Sequence, residues 1–235
     1  MKKLKIPTDL TDLTYNTIKQ HILDGHFAEN EKLTEASLSE QLGISRSPIR
    51  EALNSLEKEG LIHIEPRKGA YLKQFFRKEV IDLYNLREVL EAYAVRIADV
   101  TPKLISSLEA STERSRAFLQ GNKKLEFMVE DVSFHNTLAA ASGNRALCNT
   151  LENIQNQLRL CRLKTYDLSS STAPSAHKAI VDALKQSDRR LAVKAIRDHI
   201  AYVRDHLLES VAEREEPAYV EDNGSNSTRR SASIV

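Results

Sequence analysis

Apolar residues recur every three or four positions along most of this chain, and strand-like runs are confined to one short stretch, so the pattern predicts a mainly α protein. Leu10, Leu13, Ile18 and Ile22, with Thr14 between them on the same periodic pattern, mark a first helix, entered through Thr8 or Asp9 and left at Gly25, a residue suited to the position after a helix. A short second helix runs from Thr34 to Leu42, with Leu38 and Leu42 four apart and Gly43 as its stop. Ser45 is expected to cap a third helix, whose stripe is Ile49, Leu53 and Leu56 and whose first turn tolerates Pro48. Two β-like runs, Leu61-Ile62-His63-Ile64 and Ala70-Tyr71-Leu72, flank Glu65-Pro66-Arg67-Lys68-Gly69 and read as a hairpin. Three helices and a hairpin in this order predict a winged helix-turn-helix over residues 8–75.

From Arg77 the helical pattern is almost uninterrupted. Helices are expected at 77–100, 102–120, 123–142, 144–167, 172–186 and 188–212, with breaks at Thr101-Pro102, Gly121-Asn122, Gly143-Asn144, the Ser169–Ser171 run with Pro174, and Ser187-Asp188. Such short breaks imply mostly antiparallel neighbours, hence an all-α six-helix bundle over 77–212. Residues 213–235, charged and then rich in Ser and Asn, are expected to form a disordered tail.

Composition narrows the class. With 41% apolar residues, 6% aromatics and no Trp, the core must rest on Leu, Ile, Val and Ala. No window approaches the ~20 apolar residues of a membrane span. Polar Thr8, Asp9, Thr11 and Asp12 follow the basic start where a signal peptide would be apolar, so a cytoplasmic protein without a membrane partner is expected. Cys148 and Cys161 form no CxxC pair and read as two buried thiols in a reducing compartment. The net charge is +1, and in residues 1–75 eleven Lys and Arg are matched by eleven Asp and Glu, so bulk charge does not argue for nucleic acid.

Placement does. The third helix presents Ser45, Arg46, Ser47 and Arg50 around its N-terminal turn, away from Ile49 and Leu53. A helix N-terminus with small hydroxyls and two arginines suits phosphate and base edges together. The hairpin tip Arg67-Lys68-Gly69 follows directly. The run from Leu33 to Leu72, with SRSPIREAL, LEKEGLI and RKGAYL, resembles the winged-helix domain of the GntR family of bacterial transcription regulators. The resemblance implies a double-stranded DNA operator as partner, contacted by Arg46, Ser47 and Arg50, with the wing tip at Lys68-Gly69 entering the minor groove. Ala36 departs from the pattern: many relatives carry there an Arg that touches DNA.

The bundle carries polar residues on apolar stripes. Asp131 and His135 share a helix face with Phe127, Met128 and Leu138; His177 lines up with Ile180, Val181 and Leu184; His199 lies three after Ile196 and four before Val203. One such histidine is accounted for by a hydrogen bond in the core. Three from different helices plus an Asp are not, because each buried imidazole or carboxylate costs several kcal/mol unless paired. Coordination of one divalent transition metal (Zn, Ni, Fe or Mn) would satisfy all four, whereas Ca and Mg prefer oxygen shells. His206, on the stripe of His199, is an alternative ligand.

The same residues, Asp131-x-x-x-His135, His177 in SAHKAI and His199 in RDHI, are similar to the FCD effector domain of the FadR-type branch of that family, and six bundle helices resemble its shorter, vanillate-regulator-like subgroup. This implies a metal held by Asp131, His135, His177 and His199 at the base of an effector cavity. It also places Arg87 where its guanidinium faces that cavity and suits a ligand carboxylate, although an i,i+4 pair with Glu91 is the simpler reading. Arg162 and Tyr166 are further effector candidates. The function expected is that of a homodimeric regulator, by family default a repressor, whose operator affinity is set by a small carboxylate. Two alternatives are a regulator in which the metal itself is the signal or purely structural, and a metal-dependent hydrolase. The second lacks a general base beside the site and leaves the first 75 residues without a role.

Overall fold

The computed structural model describes residues 8–28, 31–163 and 170–210. Their order is α1 (Thr8–Leu23), α2 (Glu35–Leu42), α3 (Arg46–Lys58), β1 (Ile62–Glu65), β2 (Gly69–Leu72), α4 (Arg77–Ile97), α5 (Pro102–Gln120), α6 (Lys124–Ala140), α7 (Arg145–Arg162), a single 3-10 turn at Ser170–Thr172, α8 (Ala173–Lys185) and α9 (Arg189–Ser210). The fold is therefore mainly α, a winged helix-turn-helix followed by six bundle helices among the described residues. The expected tail and Tyr166 lie outside those residues. No helix among them is long and apolar enough to cross a membrane.

In the first unit, α1 buries Thr14, Ile18 and Ile22 against α3, while Leu10 and Leu13 are exposed. The inward stripe thus runs through a threonine, whose hydroxyl donates to Leu10 O at 2.7 Å within its own helix. Thr34 caps α2 by accepting from Ser37 N (3.1 Å), and Gly43, at φ 65°, closes it with its N–H on Ser39 O. Ile44 then packs between the helices, on the core of Leu38, Ile49, Leu53, Leu56 and Leu61. Ser45 occupies the N-cap of α3 with extended backbone but makes no side-chain cap bond. Of the two amides that could donate to such a cap, the third helical residue, Pro48, has no N–H, and that of the second, Ser47, does not reach the hydroxyl.

The strands pair antiparallel, with Ile62 opposite Leu72 and Glu65 opposite Gly69. Leu33 adds an edge by exchanging both backbone bonds with Ala70 (2.8 and 3.0 Å). At the tip, Lys68 N donates to Glu65 O (3.0 Å) with Pro66 second and Arg67 third at φ 64°. That is the type II turn pattern, whose third position normally takes Gly.

The bundle is built on α4, which packs against α9, α7 and α6, with α5 and α8 completing the layers. Its core joins Val80, Tyr84, Leu108, Phe134, Ile180 and Ile196, each fully buried; burying a side chain of this kind contributes roughly 1.5–3 kcal/mol. Helix α4 stops at Ile97, three residues short of expectation, because Ala98 turns extended and Thr101, ahead of Pro102, caps α5 through Leu104 N (3.1 Å). Cys148 and Cys161 are free and half-buried rather than fully buried; burial pushes the Cys161 thiol up to about 12.

The two units meet along α7. Leu160 packs on the winged-helix core, and a Cβ on Gly60 would sit 3.2 Å from the Gln157 side chain. Arg159 Nη2 donates to Asp24 Oδ1 at 2.8 Å across the junction.

Candidate metal centre, effector cleft and DNA-reading surface

Helices α6, α8 and α9 bring Asp131, His135, His177 and His199 together. All four are buried, and one ligand atom from each lies within 4.8 Å of the others. The rings of His135 and His177 are 5.1 Å apart by centroid, and those of His177 and His199 4.9 Å. Phe134 stacks flat on His177 (3.9 Å, 1°) and fixes its plane. His177 sits one turn into α8, slightly deeper than the first-turn position expected. His206 stays outside the cluster, with Nδ1 on Tyr202 O at 2.8 Å.

The hydrogen-bond inventory of this cluster is incomplete in a particular way. Asp131 Oδ1, His135 Nε2, both nitrogens of His177 and Nδ1 of His199 are buried with no hydrogen-bond partner. The outer atoms, by contrast, are held. Glu91 Oε2 lies 2.6 Å from His135 Nδ1 and fixes the ring with its Nε2 turned into the cluster. Arg162 Nη1 donates to Asp131 Oδ2 at 2.6 Å. Burial alone would raise the Asp131 carboxyl, but Arg162 and then the surrounding imidazoles hold it well below the usual carboxylate range. Burial and the neighbouring His135 push His177 down to about 3, and burial with the other two histidines pushes His199 well below the ordinary imidazole value. A carboxylate and three imidazoles whose nitrogens converge, two of them biased by burial toward the neutral form, are the donor set of a transition-metal site, so the residues fit such an ion.

Beside the cluster lies a narrow cleft, with room for about one water molecule as it stands, walled by Arg87, Asp131, His135, Gln155, Arg159 and Arg162. Arg87 is 2% exposed and its Nε donates to Glu91 Oε1 at 2.6 Å. Arg87 thus lines the cleft and also forms the i,i+4 pair with Glu91. Burial opposes both charges, yet Arg87 and His135 hold the Glu91 carboxyl down to about 2. Arg162 also lines the cleft, tied to Asp131. The sequence reading missed Glu91 as a partner of His135 and missed Gln155 and Arg159 altogether. The signal was available: Gln155 and Arg159 follow Leu151 at steps of four along α7, as the histidines follow the apolar residues of their helices.

In the winged helix, Ser45, Arg46, Ser47 and Arg50 are all exposed at the start of α3, and Arg67 and Lys68 are exposed at the wing tip beside Gly69. Two of the cations are already engaged. Arg50 grips Glu35 with Nε and Nη2, both at 2.7 Å, and Lys68 pairs with Glu65 at 2.8 Å. These are solvent-facing pairs worth little on their own, so an anionic partner exchanges with them at small cost. Ala36 is exposed on α2 and offers no charge.

An arginine-bearing helix and wing, joined to a helical bundle, are the architecture of a DNA-binding transcription regulator. Residues 10–72 match the profile of the bacterial regulatory proteins, gntR family, and residues 82–202 match the FCD domain. The chain belongs to the GntR family of bacterial transcription regulators, in its FadR-type branch. It is similar to the HTH-type transcriptional regulator YdhC of Bacillus subtilis (strain 168), 31% identical over 219 residues, covering 91% of this chain and 98% of that one. It is also similar to the gluconate operon transcriptional repressor of the same organism, 27% identical over 201 residues, covering 81% and 82%. A solved GntR transcriptional regulator from Rhodococcus sp. RHA1 shares the fold, with a TM-score of 0.78 at 20% identity over 86% of this chain and 99% of that one. The family consists of transcription regulators, which removes the hydrolase alternative.

Proposed function

We propose that the protein is a cytoplasmic homodimeric repressor whose operator affinity is controlled by a small carboxylate bound beside a divalent metal. The observation that carries this reading is the set of unpartnered, buried Asp131, His135, His177 and His199 atoms next to an arginine-lined cleft. Those four residues would hold a Zn, Ni, Fe or Mn ion, which supplies a Lewis-acidic position for a ligand oxygen. Arg87 and Arg162 supply fixed cationic donors for the same carboxylate, each already oriented by a protein acid.

On the DNA side, Arg46 and Arg50 read base edges, Ser45 and Ser47 take phosphate at the helix N-terminus, and Arg67, Lys68 and Gly69 carry the wing into the minor groove. The dimer face is on α4, where Leu86, Val89, Tyr93 and Ile97 form an exposed apolar stripe at helical spacing, with Val89 62% exposed. Two recognition helices must match half-sites about 34–36 Å apart, so a ligand that favours another arrangement of the dimer lowers affinity. Relatives named as operon repressors support the sign of regulation.

The test is operator titration by fluorescence anisotropy, with a site selected from random DNA, on metal-loaded and chelator-stripped protein with and without small organic acids. Loaded wild type should carry about one ion per chain, and the double substitution His135→Ala, His177→Ala should carry none. A double variant that keeps its metal, or an operator affinity indifferent to every acid and to metal, refutes the reading.

A further inference from the structure

The cleft has an end that the metal cluster does not use. Gln155, 3% exposed, turns into it an amide whose Nε2 and Oε1 both lack a hydrogen-bond partner. Packing does not call for a glutamine there, since the same helix face carries Leu151 and Leu158. One turn further, Arg159 lines the cleft with an Nε that is also unpartnered, while its Nη2 reaches out to Asp24 just beyond α1, in the winged-helix unit.

The three cleft arginines are not equivalent. Arg87 and Arg162 face carboxylates as buried as themselves, Glu91 and Asp131, which overcome the effect of burial and raise the guanidinium pKa above its ordinary value. Arg159 faces Asp24, which is 23% exposed, and here burial wins and lowers the pKa. The least compensated positive charge of the cleft is Arg159, whose acid is partly exposed and whose Nε has no partner, beside an amide with both donors and its acceptor unused.

Resting on the reading of this cleft as the effector site, we propose that Gln155 and Arg159 bind the second carboxylate of a small diacid, which draws Arg159 away from Asp24 and so loosens the winged helix from the bundle. The spacing suits a short diacid. Arg162, on the metal side, and Arg159 are three residues apart on α7, about 4.5 Å of helix rise, close to the reach of a four- or five-carbon diacid. The cleft is narrow as it stands, so a ligand enters only if an arginine gives way. Arg159, whose partner is the most exposed of the three carboxylates, is the one that does. A monocarboxylate occupies the metal side and leaves Gln155 and Arg159 as they are.

The test uses zinc-loaded full-length protein and three probes, acetate, succinate and glutarate, titrated calorimetrically into wild type, Gln155→Leu and Asp24→Asn. Wild type should bind one of the diacids at least about tenfold tighter than acetate. Gln155→Leu should reduce that preference to within about twofold while the ligand-free melting temperature stays equal or rises, because a buried unsatisfied amide has been removed. Asp24→Asn, with no competitor for Arg159, should bind the diacid tighter than wild type by up to about fivefold, with acetate affinity unchanged. If acetate binds and the diacids bind no tighter, the second subsite is refuted while the carboxylate reading stands. If none of the three binds, the carboxylate reading falls and this proposal falls with it. A diacid preference untouched by Asp24→Asn refutes the link to the winged helix.

Discussion

Glu91 is the residue on which the ionic design of the bundle can be tested most directly. Its carboxylate, 2% exposed, takes Arg87 on one oxygen and His135 on the other, both at 2.6 Å. Glu91→Gln keeps the shape but leaves one carbonyl oxygen for two claimants, and the charge opposite a buried guanidinium is gone. Removing one partner of a buried ion pair costs about 3–5 kcal/mol. In a chain of this size each kcal/mol moves the melting temperature by roughly 2–4 °C, so the ligand-free protein should melt about 6–20 °C lower. The second consequence is separate from stability: His135 loses the acceptor that orients its ring, and zinc affinity should fall about 10–100-fold. Differential scanning fluorimetry reads the first effect and competition with a chromophoric chelator the second. Glu88→Gln, one position from Arg87 but partly exposed and only 3.4 Å from Arg197, serves as control and should move neither. A Glu91→Gln protein with wild-type melting would refute the ionic network. A destabilised variant with wild-type zinc affinity would instead remove His135 from the ligand set.

Arg46→Ala should cost ~1–3 kcal/mol of operator binding with discrimination relaxed at one base pair, and a loss spread evenly over all sequences would make Arg46 a phosphate contact instead. Lys68→Ala should weaken binding uniformly and flatten the plot of log affinity against log salt by about one unit, as measured by anisotropy at several salt concentrations. Arg67→Gly should leave the melting temperature unchanged or raise it by up to about 6 °C, since relief of about 1–2 kcal/mol of left-handed backbone strain offsets the roughly 0.5–1 kcal/mol of added chain freedom; a fall by differential scanning fluorimetry would mean that the tip is unstrained. Val89→Glu should convert the dimer to monomer by light scattering with helix content unchanged, and a persistent dimer would move the interface off α4.

Most of the architecture was legible because its signals are local. Gly43 and Gly60 stop their helices, Thr101-Pro102 starts another, and the period of apolar residues sets everything between. The metal cluster was legible for a related reason: a polar residue on an apolar stripe points inward wherever its helix ends up. What periodicity cannot show is which inward polar residues meet. Glu91 lies 44 residues from His135 in sequence, and Arg159 lies 135 residues from Asp24, so both contacts depend on how helices and units pack. The same limit explains Leu10 and Leu13: they satisfy the helical period, but the face that meets α3 carries Thr14 instead. The missing cap at Ser45 was half legible: Pro48 removes one of the two amides that could donate to it, while Ser47 still carries the other.

That missing cap has a consequence for how the recognition helix behaves in the free protein. The opening amides of α3, at Arg46 and Ser47, have no intrahelical acceptor, and the hydroxyl that normally quiets such a turn is idle. A good cap is worth about 0.5–2 kcal/mol, so the first turn of α3 is frayed relative to the rest of the helix until something else accepts from it. A phosphate oxygen of the operator is such an acceptor. If α3 reads the operator as proposed, a DNA phosphate completes the helix, and part of the binding free energy then comes as order gained in the protein rather than as contact across the interface.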